Sequence, residues 1–238
     1  ACPPYREQII TKFSNKELDL KSFEDALQED QMNYDKAKQI VNELKQVNEA
    51  FGDSEFDITD QEFSSKETAH GNGKANGGQG RVPALFKKIN YPSSGLVFDY
   101  GCGESTVVNQ ISTYLADKGL EYVGYDKFNQ TADENKKSIS KVRANGGADL
   151  ITCANVLNVI KERDIRINEV IKNIHRLLKS GSKAYFDVYA DKKQEGPKQT
   201  GKDKYQLFKG IADYVDEVAE IFGKDNVKLK GDIIIATK

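Results

Sequence analysis

The chain has 238 residues, 38% of them hydrophobic, 9% aromatic and 30% charged, a composition that suits a folded globular protein and excludes a disordered or membrane-embedded one. No apolar run approaches the ~20 residues that span a bilayer, and the opening Ala1-Cys2-Pro3-Pro4-Tyr5-Arg6 has no apolar secretion core, so the expected location is the cytoplasm. With 35 Lys plus Arg against 37 Asp plus Glu, the net charge of -2 gives no global attraction for nucleic acid, and a nucleic-acid face would have to be a local patch.

Phe23 to Phe51 reads as helix, most clearly where Tyr34, Ala37, Val41, Leu44, Asn48 and Phe51 recur at three- and four-residue spacing. Gly71 to Gly80 follows a polar, acidic stretch and holds five glycines in ten residues, too many for helix or strand. The chain therefore divides into a helical region with a glycine-rich loop over residues 1–80 and a second domain over residues 81–238.

Beyond Pro92 short apolar runs alternate with helical patterns, the mark of βαβ units and a mostly parallel sheet. Expected strands are Leu96 to Tyr100, Tyr122 to Asp126, Asp149 to Ala154 and Ala184 to Tyr189. Expected helices cover Val107 to Lys118, Asp133 to Arg143, the stripe from Ile167 to Leu178, and Tyr205 to Phe222. Asn226 to Thr237 reads as a closing antiparallel strand pair around Gly231. The fold class is thus α/β, a doubly wound, mostly parallel Rossmann-like sheet with a C-terminal antiparallel pair and an added N-terminal helical region.

The segment that carries chemistry is Val97-Phe98-Asp99-Tyr100-Gly101-Cys102-Gly103-Glu104-Ser105, a strand that ends in an acid and turns through two glycines into a helix. Two glycines let the backbone pass close under a ligand at the carboxyl end of the sheet. A dinucleotide site wants a third glycine and gains nothing from an acid beside its phosphates. Here Thr106 stands at the third-glycine position and Asp99 two residues before the first. A cofactor with an ammonium and a sulfonium and no phosphate suits that carboxylate better. Asp126 ends the second strand 23 residues past Gly103, where a carboxylate can accept from both hydroxyls of a ribose.

Asp99-x-Gly101-x-Gly103, Tyr125-Asp126, the strand ending at Asn155 and Leu177-Leu178-Lys179-Ser180-Gly181 together resemble the class I S-adenosylmethionine-dependent methyltransferases, over roughly Leu85 to Lys238. Gly124-Tyr125-Asp126, Asn155 to Ile160 and Lys230 to Ala236 look like a branch found in bacteriophage genomes and beside DNA-modification systems. The resemblance implies a methyltransferase that uses S-adenosylmethionine and releases S-adenosylhomocysteine. It implies that Asp99, Gly101 and Gly103 hold the methionine part, that Asp126 holds the ribose, and that Asn155 faces the reacting centre as the catalytic position. Two departures stand out. Only 22 residues separate Asp126 from Asp149, where the family fits two helices and a strand, so one edge strand is expected to be missing or minimal. The Asp/Asn-Pro-Pro-aromatic motif of amino-directed DNA methyltransferases is replaced by Asn155-Val156-Leu157-Asn158.

Other features stay open at this level. The odd, widely spaced set Cys2, Cys102 and Cys153 indicates neither a disulfide framework nor a zinc cluster, and no metal is expected. Cys102 suits a turn that needs a small residue. His175 lies off the apolar stripe of its helix and reads as a solvated surface residue, whereas His70 borders the glycine-rich loop and could serve as a base. That loop is a linker or a lid, and in the second case Arg81 would pair the methionine carboxylate. Lys192, Lys193, Lys198, Lys202 and Lys204 form a basic loop after a strand whose carboxyl end faces the substrate. Such runs are usually solvated, but these five could contact phosphates, with Tyr185, Tyr189 and Tyr205 near enough to stack on bases. Together with the resemblance to the phage-associated branch, this loop makes nucleic acid, DNA in particular, the expected acceptor, with a small metabolite as the alternative that the balanced net charge favours. A domain that binds the cofactor without transferring its methyl group is the reading from another class.

Overall fold

A computed structural model of the chain describes residues 82–189 and 196–238. The helix expected over Phe23 to Phe51, the glycine-rich segment, Cys2, His70, Arg81, Lys192 and Lys193 lie outside the described residues.

Four parallel strands form the centre: β1 (Gly95–Tyr100), β2 (Leu120–Tyr125), β3 (Ala148–Ala154) and β4 (Leu178–Asp187). β5 (Gly196–Gly201) and β6 (Lys204–Phe208) pair as a separate antiparallel hairpin, and β7 (Val227–Lys230) and β8 (Ile233–Thr237) close the main sheet. The order in that sheet is β2-β1-β3-β4-β8-β7, with β8 antiparallel to both neighbours. The chain reverses direction across β1, so the crevice between the carboxyl ends of β1 and β3 is the place where open α/β sheets bind ligands.

β1 is apolar at nearly every position because it is covered on both faces. Leu96, Phe98 and Tyr100 point to one face, where they meet α3 (Ala132–Ala144) and the helix α4 over residues 163–177. Val97 points to the other, toward α1 (Ala84–Lys88) and α2 (Ser105–Ala116). Asp99 follows Val97 by two and so shares the α1/α2 face. α3 begins with a capping box in which the Thr131 hydroxyl accepts from the Glu134 N–H and the Glu134 carboxylate accepts from the Thr131 N–H.

α4 passes through one stretch of π geometry, Arg166–Ile171, and it is there that Arg166 turns inward. The Arg166 guanidinium is 4% exposed and makes two bonds, of 2.8 and 2.7 Å, to Glu217 on α5 (Val215–Phe222). It also donates to the carbonyls of Ile160 and Lys161, so one buried side chain ties α4, α5 and the segment after β3 together.

Between Asp126 and Asp149 there is one helix and no strand, and β2 is an edge of the sheet among the described residues. The short interval thus has the consequence expected of it. The helix expected from Tyr205 to Phe222 is shorter than its stripe. Tyr205 to Phe208 belong to β6, because pairing with β5 satisfies their backbone, and Gly210 interrupts the run before α5. Of the basic run, Lys198, Lys202 and Lys204 accordingly lie on a hairpin. No helix among the described residues is long and apolar enough to cross a membrane.

Candidate cofactor and acceptor site

The site begins where β1 ends. The Asp99 carboxylate is 3% exposed and accepts from the Thr152 hydroxyl at 2.7 Å and the Tyr122 hydroxyl at 3.2 Å, one from each neighbouring strand. Burial pushes this carboxyl up to about 7, and the Asp126 charge adds to the effect while the two hydroxyls oppose it. Asp99 is therefore poised close to neutrality, and its charged form would gain from a cation placed beside it.

Past Asp99 the chain turns through Gly101 at φ +87° and Gly103 at φ +75°. Both values lie in the left-handed region where a side chain is strained. A Cβ on Gly101 would also stand 2.2 Å from the Val156 Cγ2 atom, so this glycine is required by the packing of the segment after β3 as well as by its own backbone. Cys102 has its sulfur where a Cβ on Gly124 would lie, 2.6 Å away, which explains both the small residue in the turn and the glycine on β2. The Cys102 thiol is pushed well up by burial and by the nearby Asp99 and Asp126 carboxylates, as befits a packing residue.

Asp126 locks this turn to the end of β2. One carboxylate oxygen accepts from the Gly103 N–H at 2.9 Å. The other accepts from the N–H groups of Phe128 and Asn129 and from the Asn129 side-chain amide. Asn135 on α3 holds the Asp126 backbone from both sides, donating to its carbonyl and accepting from its N–H. The Asn129 side-chain oxygen is buried and has no donor among the described residues. A ligand hydroxyl or amine at this position would satisfy it, so the residues present fit a ribose-bearing cofactor.

Asn155 follows β3, exposed, at φ +60°. Its N–H donates to the Asp187 carbonyl at 2.8 Å and its side-chain oxygen accepts from the Tyr189 N–H at 2.6 Å. Asp187 ends β4; burial first and then the Asp232 charge raise its carboxyl, to about 6, against the lowering effect of Lys88. Asp232 lies in the β7–β8 turn and pairs with Lys88. The structure thus brings Asp99, Gly101, Gly103, Asp126 and Asn155 to the carboxyl ends of adjacent strands. Tyr122, Asn129, Asn135, Thr152 and Asp187 join this edge without having been expected there from the sequence pattern. Only Asp187, a strand-end acid like Asp99 and Asp126, carries a local signal.

Of the three tyrosines near the lysine run, Tyr185 is buried with its hydroxyl on the Asn90 carbonyl, Tyr205 is buried, and Tyr189 is exposed. Lys198 and Lys202 are exposed on the hairpin and Lys204 is half-buried. His175, expected in solvent, is half-buried edge-to-face against Phe222 at 4.9 Å. Burial, with Lys238 and Arg176 nearby, lowers its imidazole to about 4 and keeps it neutral. No group of three or more His, Cys, Asp and Glu among the described residues could hold a metal ion.

A Rossmann-like sheet with an acidic two-glycine turn and a carboxylate at the end of the next strand defines a nucleotide-type cofactor domain. A methyltransferase domain family model matches residues 79–217, more than half of the chain. The chain belongs to this family. Solved structures similar to it include CalS10, an amino pentose methyltransferase from Micromonospora echinaspora with S-adenosylmethionine bound, at 12% identity over 61% of this chain and 84% of that one, TM-score 0.39. A methyltransferase from Mesorhizobium loti matches at 12% identity over 66% and 96%, TM-score 0.37. The glycopeptide N-methyltransferase MtfA, solved with S-adenosylhomocysteine, matches at 10% identity over 62% and 84%, TM-score 0.38. A search of curated protein sequences finds no match.

Proposed function

We propose that this chain binds S-adenosylmethionine at the carboxyl ends of β1 and β2 and catalyses transfer of its methyl group to an acceptor beside Asn155. The observation that carries this reading is the Asp99-Gly101-Gly103 turn held against Asp126, a backbone cradle with carboxylates and no third glycine for a pyrophosphate. The cofactor supplies an electrophilic methyl on a sulfonium, and the protein's part is alignment of the nucleophile with the methyl carbon and sulfur. Asp99 faces the ammonium, Asp126 and the Asn129 oxygen face the ribose side, and Arg81 pairs the methionine carboxylate. Residues 81–238 form the transferase domain, and residues 1–80 help shape the acceptor pocket. Calorimetry with S-adenosylmethionine, S-adenosylhomocysteine and NAD tests the reading. Tight NAD binding with no response to either sulfur nucleoside would sink it.

For the acceptor, the hairpin supports nucleic acid, because it is the next strand pair after β4 and holds Lys198, Lys202 and Lys204, with Lys192 and Lys193 between the two in sequence, a set of cations suited to a polyanion. A small metabolite is the second reading, favoured by the balanced net charge and by Asp187 at the end of β4, which would repel a phosphate backbone. Incubation with radiolabelled S-adenosylmethionine and separate DNA, RNA, protein and metabolite pools decides between them. Cofactor binding with no labelled pool would make the domain a regulatory module.

A further inference from the structure

Among the described residues, Tyr189 and Leu229 are the large apolar side chains left exposed, and Tyr189, at 59%, is the one beside the site. Its ring is exposed while its backbone is held. The Asn155 side-chain oxygen accepts from the Tyr189 N–H at 2.6 Å, and the Asn158 side-chain amide donates to the Tyr189 carbonyl at 3.2 Å. Both backbone polar groups of one exposed residue are therefore clamped by side chains from the single segment after β3.

That clamp is costly. Asn155 holds a left-handed conformation at φ +60°, strained for any residue but glycine, though asparagine tolerates it best. Asn158 is 1% exposed and its side-chain oxygen has no donor among the described residues. A buried acceptor left unmet is a desolvation penalty that the fold must carry. An apolar residue at 158 would avoid the unmet acceptor and glycine at 155 would avoid the strain, but either change would release one side of the Tyr189 peptide. With the peptide held, the ring moves through two side-chain torsions only, so little entropy is lost when something packs on it.

We infer that Tyr189 is the face on which the planar ring of the methyl acceptor stacks, a nucleobase of an unpaired strand, with Asn155 and Asn158 as its positioning residues. The inference rests on the nucleic-acid reading above. The phosphates flanking such a base would run toward Lys198 and Lys202 on the hairpin that follows. Sequence-tolerant stacking of this kind uses the π-face that every base has.

The test uses the full chain and a single-stranded DNA 12-mer with one 2-aminopurine, whose fluorescence is quenched by stacking, titrated with and without S-adenosylhomocysteine. Stacking is worth about 1–3 kcal/mol per base, so Tyr189→Leu should weaken the 12-mer roughly five- to 150-fold and abolish the quench. It should leave S-adenosylhomocysteine affinity unchanged, and Tyr189→Phe should retain both quench and affinity. Asn155→Gly, which accepts the positive φ but removes the clamping oxygen, should reduce the quench. Full quench and affinity in Tyr189→Leu would overturn the inference. Free 2-aminopurine riboside binding as tightly as the 12-mer would overturn the strand as the source of the ring. If the protein ignores S-adenosylhomocysteine yet its DNA binding still depends on Tyr189, the cofactor reading fails and Tyr189 stands as a base-stacking residue without the methyl-acceptor role.

Discussion

Replacing Asp99 by Asn removes one buried ionisable group at nearly constant shape. Thr152 can still donate to the side-chain oxygen, and the Tyr122 hydroxyl can turn to accept from the new amide. In the folded protein burial holds the Asp99 carboxyl at about 7, against about 3.9 in an unfolded chain. Below that lower value the group is protonated in both states and contributes no pH dependence. Between the two values the unfolded chain alone gives up its proton, so folding stability falls by about 1.4 kcal/mol per pH unit. Above about 7 the loss is complete and constant. From pH 5 to pH 8 the wild-type protein should therefore lose on the order of 3 kcal/mol that Asp99→Asn does not lose. The other titrating groups, Asp187 among them, are common to both proteins and cancel in the difference. Urea unfolding followed by circular dichroism at four pH values gives the two curves. Parallel curves would show that Asp99 is ionised throughout and that its burial has been misjudged.

Gly101→Ala should destabilise by about 2–5 kcal/mol, from overpacking against Val156 and from the positive φ. Adding Val156→Ala should recover only the overpacking part in a double-mutant cycle, and additivity of the two changes would refute the contact. Arg166→Ala or Glu217→Ala alone should cost about 3–5 kcal/mol because each strands a buried charge. The apolar pair Arg166→Met with Glu217→Leu should be close to neutral; thermal and urea unfolding of the three proteins checks both statements. Asp126→Ala should weaken S-adenosylhomocysteine roughly tenfold to a hundredfold by calorimetry, the worth of charge-assisted hydrogen bonds. Since Asp126 also holds the Gly103, Phe128 and Asn129 N–H groups, faster amide exchange at those three positions should accompany the loss.

Features set by neighbours along the chain are legible in the amino-acid order itself. The alternation of apolar runs and helical stripes carries the doubly wound sheet, because strand and helix periods are local properties of the backbone. The turn from Asp99 to Gly103 is legible for the same reason, since positive φ at two positions restricts them to glycine. The short interval from Asp126 to Asp149 marks the missing strand by simple length. Strand register decides the rest. Thr152 reaches Asp99 because the parallel pairing of β1 and β3 sets those two residues side by side, 53 positions apart. Gly124 receives Cys102, and Gly101 receives Val156, only once β2 and the segment after β3 are brought to the turn. Asn155 and Asn158 find Tyr189 because β3 and β4 end level, Ala154 opposite Asp187. Tyr205 and His175 depart from their local patterns because a hairpin partner and α5 cover them, and burial is conferred by distant elements that no local pattern announces.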